Sequence, residues 1–166
     1  LSAKAVESLN KGVKIAHAYH NTGEGGLSPY HSHGGDVVFH FGTGYFGVRA
    51  EDGGFSMDKI KKLVEEKPFI RAIEVKLSQG AKPGKGGVLP GSKITKEIAD
   101  IRGVEIGKTV LSPPNHKAFS TVPEMVDFIE AIAEETGLPV GIKAAIGKLD
   151  QWEELADIMV NTGKGP

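Results

Sequence analysis

The sequence contains no cysteine, and this absence excludes several kinds of chemistry from the 166-residue chain. Disulfides, thiolate zinc sites, cysteine-ligated iron–sulfur clusters and thiol catalysis all need that residue. No apolar run reaches the roughly 20 residues that a transmembrane helix needs. Twenty basic residues face twenty-one acidic ones, and a net charge of −1 gives no overall attraction to nucleic acid or to anionic membranes. We therefore expect a cytoplasmic protein with neither of these partners.

Glycine is the residue in excess, at 23 positions, about twice the average usage. The glycines have no collagen-like period, and helical and extended patterns separate them. The length suits one domain with a real core, whereas a complete eight-stranded α/β barrel typically takes about 250 residues. The chain opens on a helical pattern without Met, so we expect a segment of a longer or processed protein.

Helical and extended patterns alternate along the chain, which is typical of parallel βαβ units. Helices are predicted to begin near Ser2, Asp58, Ile94, Thr121 and Asp150, and the first is expected to stop at Gly12. Strands are predicted over residues 13–18, 69–77, 108–111 and 140–145. Segments 36–41 and 45–49 flank Gly42-Thr43-Gly44, which predicts a β-hairpin.

Three unusual loops follow predicted strands, at the end where parallel α/β sheets carry their functional groups. They are NTGEGG (21–26), QGAKPGKGG (79–87) and SPPNHK (112–117). Glycine lets a backbone approach a ligand closely, although a tight turn explains the glycines of a single loop equally well. Two glycine-rich loops on one predicted edge, with Lys and Glu within them, favour a binding role.

Several cations near these loops would surround an anionic ligand: Lys76, Lys82, Lys85, Arg102 and Lys143. Alternation along residues 69–77 puts Glu74 and Lys76 on one face, where they would point into a barrel as a charged pair. Lys143 lies between apolar residues in GIKAAIG, which argues against an ordinary surface position, whereas Lys85 is expected to be solvated.

Among the histidines, His116 is the best candidate for contact with a ligand, because it follows Ser112-Pro-Pro at a predicted strand end. His31 and His33 are two residues apart in a loop, but no H-E-x-x-H pattern or third ligand accompanies them, so no metal site is expected. The chain has no G-x-S-x-G motif for hydrolysis, and neither glycine-rich loop matches a phosphate loop.

The segments NTGEGG, KLSQGAKPGKGGVLPG, VLSPPNHKAFS and GIKA, in this order, resemble the FMN-binding domain of glutamate synthase. They resemble the shorter FMN-binding glutamate-synthase-like proteins more closely still. The resemblance covers nearly the whole chain. It implies an α/β fold that is part of a (β/α)8 TIM barrel, with one partial domain over 1–166. This domain would contain about four parallel strands, roughly strands two to five of the eight. Helices would flank these strands, and the hairpin would be an insertion.

In that family, 2-oxoglutarate and ammonia give 2-iminoglutarate, which reduced FMN converts to L-glutamate by hydride transfer. The ammonia comes from a glutaminase domain or subunit, and an electron donor is a further partner. The resemblance places Lys143 beside the N1–C2 edge of the flavin, where reduction puts negative charge. It also places Gln79 and Ser112 near the flavin.

The resemblance assigns the remaining residues to the substrates. Glu24 matches an acidic residue near the site of ammonia entry, and with Lys76 and Lys143 it forms the expected catalytic set. Lys76, Lys82 and Arg102 match basic positions that hold the carboxylates of the oxo acid. His116 belongs to a segment that lines the substrate cleft.

Two positions depart from the family pattern. Val88 stands in GGVLPG where glutamate synthases usually carry glutamine, which weakens the expectation that 2-oxoglutarate is the substrate. Lys117 replaces the second histidine of the usual SPPPHH pattern.

The family continues beyond NTGKGP into a sixth strand and a phosphate site built by the last strands, and its first strand should precede the opening helix. We therefore expect this chain alone to be inactive, with a 3Fe–4S cluster, where one exists, held elsewhere in the parent. An alternative is a non-catalytic partial barrel that self-associates through its open edges. A generic α/β anion-binding module is a third interpretation, but it leaves the order of the four segments unexplained.

Overall fold

The computed structural model describes residues 2–78 and 85–166, so the predictions for Gln79 and Lys82 lie outside the described residues. Its main sheet has the strand order β1-β2-β3-β6, and every neighbouring pair is parallel. These strands are β1 (Tyr19–Asn21), β2 (Asp36–Phe41), β3 (Ile70–Lys76) and β6 (Val140–Lys143). The strands β4 (Gly87–Leu89) and β5 (Val110–Ser112) form a separate antiparallel pair.

Five α-helices lie within the described residues: α1 (Ala3–Ala16), α2 (Met57–Glu66), α3 (Lys96–Arg102), α4 (Val122–Thr136) and α5 (Asp150–Thr162). Helix α4 shows how local sequence sets these limits. Thr121 and Glu124 form the predicted capping box, and Gly137 ends the helix in the left-handed conformation. None of the helices in the described part of the chain is long and apolar enough to span a bilayer.

The prediction that the first helix stops at Gly12 and gives way to a strand over 13–18 is wrong. Helix α1 continues to Ala16, and the chain turns at His17, whose φ is 52°. A helical glycine costs only about 1 kcal/mol, and packing can outweigh that cost. Here a Cβ on Gly35 would lie 2.6 Å from Cγ2 of Val13, which shows how closely the last turns of α1 pack on the loop before β2.

The predicted hairpin insertion is also wrong. Strand β2 pairs in parallel with β1 on one side and with β3 on the other, so neither of its edges is free for an antiparallel partner. After Phe41 the chain instead enters a series of turns, in which Tyr45 has a φ of 49° and Gly47 a φ of 86°.

The strand predicted over 108–111 forms at 110–112, but it lies outside the main sheet. Strands in a parallel sheet are covered on both faces and need nearly continuous burial. Strand β5 pairs with β4 instead, and there Leu111 is left 65% exposed. Strand β3 takes β6 as its neighbour. The predicted α/β class, with four parallel strands flanked by helices, is confirmed and is consistent with part of a TIM barrel.

The two faces of the main sheet differ in chemistry. The face covered by the helices, which we call the outer face, carries fully buried apolar side chains, among them Phe39, Phe41 and Val75. It shares one core with Ile60 of α2 and Ile129 of α4. The inner face carries polar and charged residues: Asn21, His40, Glu74, Lys76 and Lys143.

Candidate functional site

Two lysines stand side by side at the carboxyl ends of the inner-face strands. Register pairs Lys76, the last residue of β3, with Lys143, the last residue of β6. Nζ of Lys76 donates to Oε2 of Glu24 at 2.7 Å, and Glu24 lies in the loop that follows β1. Lys143 is exposed, and no carboxylate within the described residues forms an ion pair with it. The structure thus brings together the three residues predicted to be catalytic.

The predicted charged pair between Glu74 and Lys76 does not form, although both residues lie on the same face. Oε1 of Glu74 instead lies 2.5 Å from Nδ1 of His40 and accepts a hydrogen bond from the amide of Asn21 at 3.0 Å. His40 is 2% exposed, and burial lowers its pKa more than the neighbouring carboxylate raises it. A neutral His40 therefore donates from Nδ1 to Glu74, below the lysine pair.

Arg102 approaches the same loop from the carboxyl end of α3. Its guanidinium carbon lies 5.0 Å from the centroid of the Phe46 ring, in cation–π geometry. A Cβ on Gly25 would lie 3.4 Å from Nη2 of Arg102, so the guanidinium packs directly on the glycine that follows Glu24. Burial lowers the pKa of Arg102, and attraction to Glu24 partly offsets that effect.

A cleft opens between the strand ends and the loops, and we call it the strand-end cleft. Its polar lining consists of Glu24, Thr43, Lys76, Ser78, Lys85 and Ser112. The backbone around it is tightly packed: a Cβ on Gly86 would lie 1.9 Å from the carbonyl oxygen of Ser112. Glycine at position 86 therefore serves a close approach of two backbones rather than a left-handed turn.

His116 is placed beside the cleft, but it is 7% exposed and packed within the protein. Its Nδ1 lies 3.0 Å from the hydroxyl of Tyr45, and its Nε2 lies 2.9 Å from the carbonyl oxygen of Lys76. Its ring stacks on Phe119, with centroids 4.7 Å apart. Burial lowers the pKa of His116. The two ring nitrogens therefore hold the loop after β5 against two elements: Nε2 against the end of β3 and Nδ1 against the turn after β2.

Sequence reasoning missed two parts of this site. The turn that follows the carboxyl end of β2 contributes Thr43 to the cleft, although Gly42-Thr43-Gly44 was interpreted as a hairpin loop. Its signal was two glycines one residue apart directly after a buried strand. The His40–Glu74–Asn21 cluster was also missed, because its partners are 34 and 53 residues apart in sequence.

A pair of histidines lies away from the cleft. The rings of His20 and His31 are 5.0 Å apart, and Nδ1 of His20 is buried without a hydrogen-bond partner among the described atoms. Within residues 2–78 and 85–166, no three His, Cys, Asp or Glu side chains gather into a group that could hold a metal ion.

Comparison with known proteins supports the family that the strand-end loops resemble. The family model described as the conserved region in glutamate synthase matches residues 1–162. The chain belongs to the glutamate synthase family. Membership accounts for the order of the strand-end loops. Val88 is 67% exposed and pairs with Leu111 across β4 and β5.

Individual glutamate synthase relatives are similar over most of the chain. It is 45% identical over 168 residues to the glutamate synthase large subunit-like protein YerD of Bacillus subtilis, covering all of this chain and 32% of that protein. It is 34% identical over 151 residues to an archaeal glutamate synthase [NADPH] of Methanocaldococcus jannaschii, covering 87% of this chain and 26% of the relative. A related protein of Thermotoga sp. strain RQ2 is 33% identical over 150 residues, with the same coverage. The chain thus spans a third or less of these relatives.

Proposed function

We propose that this chain supplies the strand-end cleft of an FMN oxidoreductase that reduces 2-iminoglutarate to L-glutamate. The observation that carries the proposal is the adjacent pair Lys76 and Lys143, with Glu24 bound to the first of them. Two cations and one carboxylate at the ends of parallel strands suit a substrate that carries carboxylates and receives ammonia.

We propose that the flavin ring lies across the mouth of the strand-end cleft, between its wall and Lys143, which stands beside the cleft at the end of β6. When bound, FMN supplies a hydride, and its reduced form carries negative charge at one edge of the ring. The exposed ammonium of Lys143 would stabilise that charge, and the narrow wall of Ser112 and Gly86 would pack against the ring. We propose that Gln79 adds a further contact. The phosphate group, and a 3Fe–4S cluster where the parent has one, would be held outside this chain, which has no cysteine.

The substrate would occupy the cleft beside the flavin. Lys76 and Arg102, together with Lys82, would hold the carboxylates of the oxo acid, and a carboxylate arriving there would compete with Glu24 for Nζ of Lys76. The carboxylate of Glu24 would attract ammonium and accept its proton. His116 would support the cleft wall rather than bind substrate through a ring nitrogen, since both nitrogens already hold protein groups.

The remaining features are proposals for the parent protein. A glutaminase domain or subunit would supply ammonia, a separate donor would reduce the flavin, and the reaction would take place in the cytoplasm. The 166 residues would form one partial barrel domain that is inactive alone.

Flavin content of the full-length protein tests this proposal. We expect yellow protein with one FMN per chain, and formation of glutamate that requires 2-oxoglutarate, ammonium and a flavin reductant. Because Val88 replaces the usual glutamine, a panel of other 2-oxo acids is the informative comparison. Colourless protein that leaves the absorbance and fluorescence of added FMN unchanged would rule the proposal out.

A second candidate is self-association of this chain as a non-catalytic partial barrel. It is favoured by large apolar side chains left exposed around α5, with Ile146, Leu149 and Val160 exposed by 73%, 64% and 84%. Sedimentation of the 166-residue chain distinguishes the cases, because a second copy covering this surface would give a dimer or larger species. A strictly monomeric, folded chain would remove this candidate.

A further inference from the structure

Tyr45 is a tightly constrained residue beside the cleft. It is fully buried, and its φ of 49° is uncommon for a residue with a bulky side chain. Its hydroxyl oxygen accepts hydrogen bonds from the backbone N–H groups of Lys117 at 3.1 Å and Ala118 at 3.3 Å. These two bonds use the oxygen's lone pairs, so its single hydrogen must point to the third neighbour, Nδ1 of His116.

This donation fixes the state of His116. Because Nδ1 accepts from Tyr45, the ring hydrogen stands on Nε2 and donates to the carbonyl oxygen of Lys76 at 2.9 Å. A directed chain of hydrogen bonds therefore runs from the turn after β2, through the loop after β5, to the last residue of β3.

The backbone of the same turn also lies close to the other cleft residues. A Cβ on Gly42 would lie 2.9 Å from Oε2 of Glu24, the atom that binds Lys76. A Cβ on Gly44 would lie 2.7 Å from Oγ of Ser112. The backbone of the turn is thus in close contact with both walls of the strand-end cleft, and Tyr45 anchors its end.

We propose that Tyr45 and His116 are positioning residues, which set the places of Lys76, Glu24 and Ser112 in the strand-end cleft through this chain of hydrogen bonds. The proposal rests on the proposed function for its kinetic consequence. Its structural part is that the hydroxyl of Tyr45 sets the surroundings of the Lys76 ammonium. This part does not depend on flavin binding.

The test is Tyr45→Phe in the full-length protein, with Tyr30→Phe as the matched control. Tyr30→Phe removes a hydroxyl that donates to Glu97 at 2.6 Å outside the cleft, whereas Tyr45→Phe removes a hydroxyl with three partners at its edge. We expect Tyr45→Phe to lower kcat/KM for the oxo acid by about 10- to 100-fold, because misplacing a group by about 1 Å can cost on the order of 100-fold. The ¹³C-methyl signal of reductively methylated Lys76 should shift in Tyr45→Phe and stay unchanged in Tyr30→Phe.

His116→Gln and His116→Ala keep the proposal testable where the tyrosine variant folds poorly. Glutamine can still donate to Lys76 and accept from Tyr45, so we expect it to retain most of the activity that alanine loses. An unchanged Lys76 signal and unchanged kcat/KM in folded Tyr45→Phe would overturn the proposal. If the parent binds no flavin, the proposed function fails, and the Lys76 signal alone then decides the positioning role.

Discussion

The two faces of the main sheet carry different chemistry on the same strands. In β2, Phe39 and Phe41 point to the outer face, while His40 between them points to the inner face and meets Glu74. The Phe41 ring lies 5.4 Å from that of Phe55 and 6.5 Å from that of Phe128. The outer face therefore gains stability from burial, whereas on the inner face the buried polar side chains need hydrogen-bond partners and the exposed Lys143 does not.

Because of this difference, we expect substitutions on the two faces to affect stability and activity separately. Changes on the outer face should reduce the free energy of unfolding and affect chemistry only through loss of fold. Changes at the strand ends of the inner face should reduce chemistry and leave the free energy of unfolding nearly unchanged. The His40–Glu74 pair lies between these cases, because it is buried and polar.

The largest effect on stability is expected for Phe41→Ala. The side chain is fully buried among aromatic neighbours, and removing such a ring costs about 3–5 kcal/mol of unfolding free energy. Urea denaturation measures the loss, with Ile15→Ala as control, since Ile15 is 81% exposed and its truncation should change little. Equal losses in the two variants would contradict the assignment of the outer face as the core.

A smaller loss is expected for Glu74→Ala, about 1–3 kcal/mol, because His40 and Asn21 are left without their acceptor in a partly buried place. Glu74→Gln keeps an acceptor oxygen and should lose less. Urea denaturation of both variants gives the comparison. If glutamine were as harmful as alanine, the negative charge rather than the hydrogen bonds would be the stabilising feature.

Acid should produce a gradual loss of stability. Burial lowers the pKa of His20, His31, His40 and His116, so the unfolded chain binds protons at these positions more readily than the folded chain does. Their contribution to stability is complete above the ordinary histidine pKa near 6.5 and is lost as the pH falls through the lower folded-state values. Thermal melting between pH 8 and pH 5 measures this loss.

His31→Gln supplies the control for this pH dependence. His31 is 5% exposed and lies next to His20, away from the cleft, so its removal should make the melting temperature less dependent on pH below about 6.5. An unchanged pH profile in this variant would contradict a contribution of His31 to the loss.

The sequence allowed prediction of helix ends and of the strand-end loops because local signals set them. The capping box of Thr121 and Glu124, and the glycine after α4, are contained in a few neighbouring residues. The end of α1 could not be predicted in this way, because packing between Val13 and Gly35 overrides the weak preference of Gly12.

The pairing of strand β2 was also predicted wrongly. Which strands pair depends on competition between segments that are distant in the sequence. The hairpin after β2 was predicted without knowing that β1 and β3 occupy both edges of that strand. Within the site, Lys76, Lys143 and Glu24 could be grouped through resemblance, whereas the Tyr45–His116 chain required three-dimensional placement of residues 71 apart.

The most direct test compares Lys143→Ala with Lys62→Ala in the full-length protein, measuring the rate of flavin reduction and the free energy of unfolding in each. Lys62 is 74% exposed on α2, so it controls for loss of one surface lysine. We predict that Lys143→Ala slows flavin reduction by about 10- to 100-fold, because a preorganised charge is lost, and changes stability by less than about 0.5 kcal/mol. Flavin reduction at the same rate in both variants would contradict the assignment of chemistry to the inner face.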